Sequence, residues 1–279
     1  MFRTAAKPLI TGDCKVAYQF IQYETAEGVA TITLSRPDAM NALTAPMMDE
    51  MKAALKAAER DQAVRAILLT GSGKGFCSGA DLAEVQANPD VPLTEYLRSG
   101  LNALAVQVRS LEKPVIAAVN GVAAGAGTSL ALWCDLRIAS ESASFIFAAF
   151  VNIGLMPDGG LTYLLQRTVG TAKAIEFALL ADAKNRVSAS DALAWGVVNK
   201  VVAHDSLMAE ATALATKLAK MPTRAIAMTK RAIYRASERE LADAADYEAR
   251  MQSVMSKTED FTEGVSAFLE KRAPVFKGK

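Results

Sequence analysis

Histidine is nearly absent from this sequence, with one copy, His204, in 279 residues. It sits in VVAHDSL, which reads as a polar connection after a strand and so as a surface-loop residue. A Ser-His or Cys-His nucleophile would have to use this one imidazole, so nucleophilic catalysis of that type finds little support. Cysteine is scarce too: Cys14, Cys77 and Cys134 are odd in number and widely separated. That argues against a disulfide framework and suits reduced thiols in a cytosol. No CxxC pair or Cys/His cluster suggests a metal. No apolar run reaches the roughly 18–20 residues of a membrane span, and the opening MFRTAAKPLITGDC lacks the apolar centre of a secretory signal. An excess of one charge is also missing, since 31 Lys and Arg face 30 Asp and Glu. Bulk charge therefore gives no reason to expect nucleic acid or an acidic membrane surface, and local Lys and Arg would have to hold any anionic small molecule. The expectation is a cytoplasmic protein.

What is present is ordinary globular material, 51% hydrophobic and 22% charged, at a length that fits one large domain or a domain with an appendage. VATITLSR (29–36) and AVRAILLTGS (63–72) are β-branched and apolar, each closed by turn chemistry. Between them TAPMMDEMKAALKAAERD has helix spacing, with Thr44 as N-cap and Pro46 in the first turn. Met47, Met48 and Met51 fall on its core side. A longer amphipathic segment, LTEYLRSGLNALAVQVRSLEK, precedes PVIAAVNG, an unbroken apolar run of buried-strand length. GAGTSLALWCD reads as a turn opening a helix, and LRIASESASFIF as a return to strand, with Phe145 and Phe147 on one face. LTYLLQRTVG and TAKAIEFALLA are helical, VVNKVVA is a short strand, and the chain from Asp205 onward is almost wholly helical. The composition shift predicts an α/β core over residues 1–204 and a helical module over 205–279.

Two glycine-containing turns stand out, GKGFCSGADL (73–82) after a strand and NGVAAGAGTSLA (120–131) opening a helix. Both offer backbone N–H groups with little side-chain obstruction, and the second has the positive end of a helix dipole. Spacing alone leaves three uses open: a phosphate cradle, an oxyanion hole, or close packing. GVAAGAG lacks the ending of a Walker loop. A third stretch, FVNIGLMPDGGLTYLL (150–165), puts Asp158 between a proline and two glycines with apolar sequence on both sides. Such an aspartate is either the cap of the following helix or a catalytic base.

SRPDAMNAL (35–43), GKGFCSGADL, KPVIAAVNGVAAGAG and the tail FLEKRAPVFKGK resemble, in order and spacing, the crotonase or enoyl-CoA hydratase/isomerase superfamily. The resemblance runs from about residue 20 to the C-terminus. It implies an α/β spiral of ββα units with a helical C-terminal trimerisation module, assembling as trimers or dimers of trimers. It implies an acyl-CoA thioester substrate, and no cofactor beyond that coenzyme A moiety. The thioester oxygen would sit between the N–H groups of Ala80 and Ala126, where many relatives have glycine at the second position. Asp81 and Leu82 would lie along the coenzyme, with Arg36 and Ala39 near its pantetheine or phosphate end. Lys271, Phe276 or Lys277 would lie near a coenzyme, across a subunit boundary in one version.

The same resemblance separates two chemistries. Hydratases of the family place two glutamates around a water; here those positions hold Ser129 and Phe150, neither of which replaces a carboxylate. Isomerase branches carry one acid slightly further on, in a Pro-Glu or Pro-Asp turn, and IGLMPDGG looks like that arrangement. VAAGAG followed by PDGG is similar to the isomerases of phenylacetate degradation. The expectation is a one-base isomerase using Asp158, whose carboxyl Phe150, Leu155 and Met156 would push up. Phe147, Phe150 and Tyr163 suggest an apolar acyl pocket. Two alternatives stay open: a hydratase with unusual acid placement, and a catalytically silent acyl-CoA-binding scaffold.

Overall fold

The computed structural model describes residues 18–279; Cys14 and the opening segment lie outside the described residues. The described residues open on a hairpin, β1 (Ile21–Ala26) and β2 (Val29–Leu34), followed by helix α1 (Ala45–Arg60). Next come β3 (Ala66–Gly71), β4 (Gly75–Cys77), α2 (Leu82–Ala87), α3 (Leu93–Tyr96) and α4 (Ala103–Ser110). The central part contains β5 (Val115–Val119), β6 (Val122–Ala124), α5 (Ala126–Trp133), β7 (Leu136–Ser140) and β8 (Ser144–Ile146). Then follow α6 (Leu161–Val169), α7 (Thr171–Leu180), β9 (Val187–Ser188), α8 (Ala189–Ala194) and β10 (Lys200–Val202). Four helices end the chain: α9 (Leu207–Ala219), α10 (Thr223–Ala236), α11 (Leu241–Met255) and α12 (Glu259–Leu269).

Two sheets share the strands. The larger runs β1-β2-β3-β5-β7-β10 and the smaller β4-β6-β8-β9. β1–β2 and β8–β9 pair antiparallel, and all the other pairings are parallel. Three times in succession the chain lays a strand in the large sheet, the next strand in the small sheet, and then helix: β3–β4, β5–β6 and β7–β8. Each repeat advances one strand along both sheets, which is the spiral of ββα units.

Strands β3 and β5 are buried along their whole length, as their unbroken apolar sequence requires of parallel strands covered on both faces. Side chains alternate between two cores. Ile67, Leu69, Val115, Ala117 and Val119 face the main core with Met47, Met48 and Met51 of α1. Ala66, Leu68, Ile116 and Ala118 face α9, whose Leu207, Ala211, Ala215 and Ala219 recur every four residues and let its backbone lie close to the sheet. The first helix after residue 205 thus covers the core sheet, and α10–α12 lie beyond it.

Several sequence expectations meet physical corrections. Thr44 does cap α1, its Oγ1 accepting the Met47 N–H at 3.4 Å. Cys77 and Cys134 are free and buried. The segment 93–110, read as one amphipathic helix, is instead α3, a wide π turn over Leu97–Asn102, and α4. LRIASESASFIF divides between the two sheets, and Phe147 lies in a 3-10 turn beyond β8. Its ring stacks on Phe145 and Phe177, with centroids 6.1 and 5.5 Å apart. The short strands β4 and β6 lie inside the two stretches read only as glycine turns.

Candidate active site

The end of β4 and the start of α5 come together because two glycines remove the Cβ atoms that would hold them apart. A Cβ on Gly79, whose φ is +103°, would stand 2.9 Å from the Ala124 carbonyl oxygen and 3.3 Å from the Ala126 nitrogen. A Cβ on Gly127 would stand 2.0 Å from the Cys77 carbonyl oxygen. Leu43 runs beside this strand end, its N–H donating to Gly79 O at 2.8 Å and its carbonyl accepting the Asp81 N–H at 2.9 Å. The Ala80 N–H between them donates to no group among the described residues, and neither does the N–H of Ala126 at the first position of α5. Two unspent donors therefore lie on adjoining backbones, one at the positive end of a helix.

Helix α5 also holds the Asp158 turn. One turn below Ala126, the Ser129 hydroxyl donates to the Asp158 carbonyl at 3.1 Å. A turn further on, the Trp133 Nε1–H donates to the Gly159 carbonyl at 2.7 Å. Residues 126, 129 and 133 share one helix face, so a single rigid element sets the separation between oxyanion donor and acid. Gly159 is enclosed: a Cβ there would meet Trp133 at 2.9 Å, Leu101 at 3.2 Å and Ser129 at 3.3 Å.

The Asp158 side chain does not cap α6. That helix starts after Gly160 with no side-chain cap, and Asp158 Oδ1 is buried without a hydrogen-bond partner. Burial pushes its carboxyl up to about 6, against a smaller opposing pull from its own N–H. The expected source of that burial needs correction. Phe150 is buried, its ring 3.7 Å from the Cβ position of Gly125, but Leu155 and Met156 are 41% and 71% exposed. The polypeptide next to the acid is walled instead by α5 and Leu101. The two positions read as lost glutamates thus flank the site as a buried serine bonded to the Asp158 backbone and a buried phenylalanine.

Arg36, Ala39, Asp81 and Leu82 form one neighbourhood on the approach to Ala80. Arg36 and Asp81 are an ion pair at 2.9 Å, and Asp81 also caps α2 through the Glu84 N–H at 3.2 Å. Burial raises the Asp81 carboxyl, but the Arg36 guanidinium and the Glu84 N–H outweigh it and hold the group below its usual range. Ala39 accepts the Ser78 hydroxyl at 3.2 Å, and Leu82 presents an exposed side chain. Two buried asparagines that the sequence reading passed over organise this region. Asn41 accepts the Arg36 N–H at 2.9 Å and donates to Ser72 O and Gly75 O at 2.9 and 2.8 Å. Asn120 accepts the Gly71 N–H at 3.2 Å and donates to Gly73 O at 3.0 Å. The available signal was an Asn in SRPDAMNAL and another opening NGVAAGAG, beside turns whose loop carbonyls need side-chain donors. Tyr96 was also missed; its hydroxyl donates to the Leu43 carbonyl at 3.2 Å.

Other candidates lie elsewhere. His204 is exposed beyond β10, its Nδ1 3.1 Å from Ser140 Oγ. Phe147 is enclosed in the core, while Tyr163 is half-exposed on α6 and donates to Glu238 at 2.6 Å. Within one chain Phe276 lies over Gly264 of α12, and the Lys277 and Gly278 N–H groups bind the Asp260 carboxylate at 2.7 and 2.8 Å. Lys271 lies two residues beyond the end of α12, with φ +55°. Among the described residues no cluster of three His, Cys, Asp or Glu could hold a metal ion, and no helix is long and apolar enough to cross a membrane.

Residues 24–279 match the family model described as enoyl-CoA hydratase/isomerase. The chain is 42% identical to the 1,2-epoxyphenylacetyl-CoA isomerase of Escherichia coli over 94% of its own length and 99% of that protein. It is 44% identical to a Rhodobacter capsulatus protein named "Probable enoyl-CoA hydratase", over 95% of this chain and all of that one. Among solved structures, the enoyl-CoA hydratase of Mycobacterium smegmatis superposes with a TM-score of 0.85 at 35% identity, covering 92% of this chain and 99% of that one. Sequence, spiral architecture and these relatives agree: the chain belongs to the enoyl-CoA hydratase/isomerase family and has the crotonase fold.

Proposed function

We propose that this protein is an enoyl-CoA isomerase that moves a double bond, or rearranges a ring epoxide, by one-base proton transfer. The observation that carries the reading is the half-buried Asp158 carboxyl, its Oδ1 enclosed without a hydrogen-bond partner, on a turn bonded to the helix whose first residue supplies one of two unspent backbone N–H donors. The Ala80 and Ala126 N–H groups receive the thioester oxygen and stabilise the enolate, an effect worth about 3–4 kcal/mol per donor in such sites. Asp158 takes a proton from C2 of a 3-enoyl thioester. The C3–C4 π electrons then shift to C2–C3 as the same carboxyl returns the proton to C4. A carboxyl near 6 suits this shuttle, because it is ionised at neutral pH yet basic enough to accept a carbon-bound proton in concert with enolate stabilisation. Base and donors all come from the chain, so the chemistry calls for no cofactor beyond the substrate's coenzyme A. Arg36, Ala39, Asp81 and Leu82 would border the coenzyme, the ion pair holding its entrance open.

The hydratase named among the relatives keeps hydration as the second reading. Ser129 and Phe150 offer no second carboxylate to orient a water, which favours isomerisation. A catalytically silent scaffold would have no need of a half-buried acid with one enclosed oxygen unpartnered. Incubation with 3-hexenoyl-CoA, followed by chromatography and mass spectrometry, separates these readings. A 2-enoyl product of unchanged mass supports isomerisation. A hydrated product, formed also from 2-hexenoyl-CoA, would establish hydration, and binding without turnover of 3-enoyl or epoxide thioesters would leave the scaffold.

We also propose assembly as a homotrimer or a dimer of trimers. A groove of about 730 Å³ along α10–α12 is lined by apolar side chains, and Phe268 and Leu269 beside it are 82% and 73% exposed. An apolar face of this kind on helices that extend beyond the core suits burial against another copy.

A further inference from the structure

The Ala80 N–H is unspent because of the register in which its strand end meets Leu43. The two residues form a parallel bridge: Leu43 donates to the Gly79 carbonyl and accepts the Asp81 N–H, which leaves the Ala80 N–H on the other edge. A slip of one residue would carry Ala80 about 3.3 Å along the strand and turn its N–H toward Leu43, where it would be consumed. β4 itself resists such a slip poorly. It is three residues long, opens on a glycine, and shifts register against β6 between Gly75 and Cys77.

Two side chains hold the strand from outside its ladder. Asn41 Nδ2 donates to Gly75 O at 2.8 Å and to Ser72 O at 2.9 Å. Asn120 Nδ2 donates to the same Gly75 O at 3.2 Å and to Gly73 O at 3.0 Å. Two buried amides from distant segments therefore converge on the carbonyl that opens β4. Asn41 sits in the left-handed region, φ +57°, which asparagine tolerates better than most residues. Its neighbours then follow the strand onward, Met40 O accepting the Ser78 N–H at 3.0 Å before Leu43 bridges Ala80. One short segment thus grips this stretch at Gly75 and again at Ala80.

We propose that Asn41 and Asn120 are positioning residues for the oxyanion site: by fixing the Gly75 carbonyl they hold the register that leaves the Ala80 N–H free for the thioester oxygen. The inference rests on the reading of Ala80 and Ala126 as oxyanion donors.

Infrared spectroscopy of bound octanoyl-CoA, carrying carbon-13 at the thioester carbon, reads the hydrogen bonds to that carbonyl without turnover. In the native complex the carbonyl band should lie below that of the free thioester in water. Asn41→Asp keeps the size of the side chain and the acceptor for the Arg36 N–H, but turns an oxygen toward Ser72 O and Gly75 O. It should remove about half of the band shift, as for one of two donors lost, and lower kcat on 3-hexenoyl-CoA about 100-fold. Asn120→Ala introduces no buried charge; it should reduce the shift in the same direction and carries the test if Asn41→Asp does not fold. Ile67→Val, a buried core truncation at the opposite end of β3, controls for stability alone. It should lower the melting temperature and leave the band in its native position. A native-sized shift in Asn120→Ala and in any folded Asn41→Asp overturns the inference and leaves the oxyanion reading intact, as does an equal loss of shift in Ile67→Val. Absence of a shift in the native complex, or failure of octanoyl-CoA to bind, overturns both.

Discussion

Asp158 shows how one residue can be costly to the fold and useful to the chemistry. Its carboxyl rises to about 6 from the ordinary aspartate range near 3.9, chiefly through burial. Below the ordinary range the group is protonated in folded and unfolded chains alike and costs nothing. Between pH about 4 and about 6 the unfolded chain ionises first, so stability falls as pH rises, and the full loss persists at neutral pH. Asp158→Asn should therefore raise the melting temperature by about 2–4 °C at pH 7.5, measured by calorimetry. It should also lower kcat by roughly 100- to 10,000-fold, as expected for loss of a general base. The native kcat/KM should decline below pH about 6, with a limb absent from the variant's residual activity. A limb near pH 4 in the native protein would count against the burial argument. The sequence placed this aspartate in an apolar setting, but Leu155 and Met156 turn outward, and the chain order could not show that α5 and Leu101 enclose the turn instead.

At the scale of elements, α5 is the gauge of the site. Its first residue supplies an unspent N–H, and its Ser129 and Trp133 hold the Asp158–Gly159 backbone. Ser129→Ala removes one hydrogen bond, worth about 1 kcal/mol net, and should lower kcat by roughly fivefold with KM nearly unchanged. A rise in KM with constant kcat would instead assign Ser129 to substrate binding. Gly79→Ala tests the other side of the oxyanion pair. A methyl at φ +103° and 2.9 Å from the Ala124 carbonyl forces the strand end away from α5, and kcat should fall about 100-fold, the scale of losing one oxyanion donor. The π turn over Leu97–Asn102 belongs to this scale as well. Period alone reads 93–110 as a continuous amphipathic helix, because the widening is imposed by tertiary contacts. Gly100 lies against Met48, where a Cβ would come within 2.7 Å, and Leu101 reaches Gly159.

At the scale of the molecule, α10 is tied to the core through a nearly enclosed pair. Lys230 and Asp135 meet at 2.6 Å with side chains 11% and 12% exposed. Lys230 also donates to the carbonyls of Leu111 and Lys113, while Tyr234 donates to Asp135. Lys230→Met strands a buried carboxylate and should cost about 3–5 kcal/mol, seen as a lower urea midpoint. A change under 1 kcal/mol would show that the pair contributes little to docking α10. Phe268→Glu should leave the monomer folded but shift its sedimentation toward single chains, since the substitution places charge on the apolar face of α10–α12.

Legible along the chain were the alternation of strand and helix, the buried methionines of α1, the helical C-terminal stretch, and the motifs that mark the family. Those properties follow from local periodicity, turn chemistry and residue order, all of which are written along the chain. The assembled fold was needed to show which Cβ-free positions bring β4 against α5, and that Asn41 and Asn120 pin the loops between. It also showed that the Asp158 side chain caps nothing. Each of these depends on distances between residues tens of positions apart, set by two sheets growing together as the chain spirals, and no local pattern in the sequence encodes such distances.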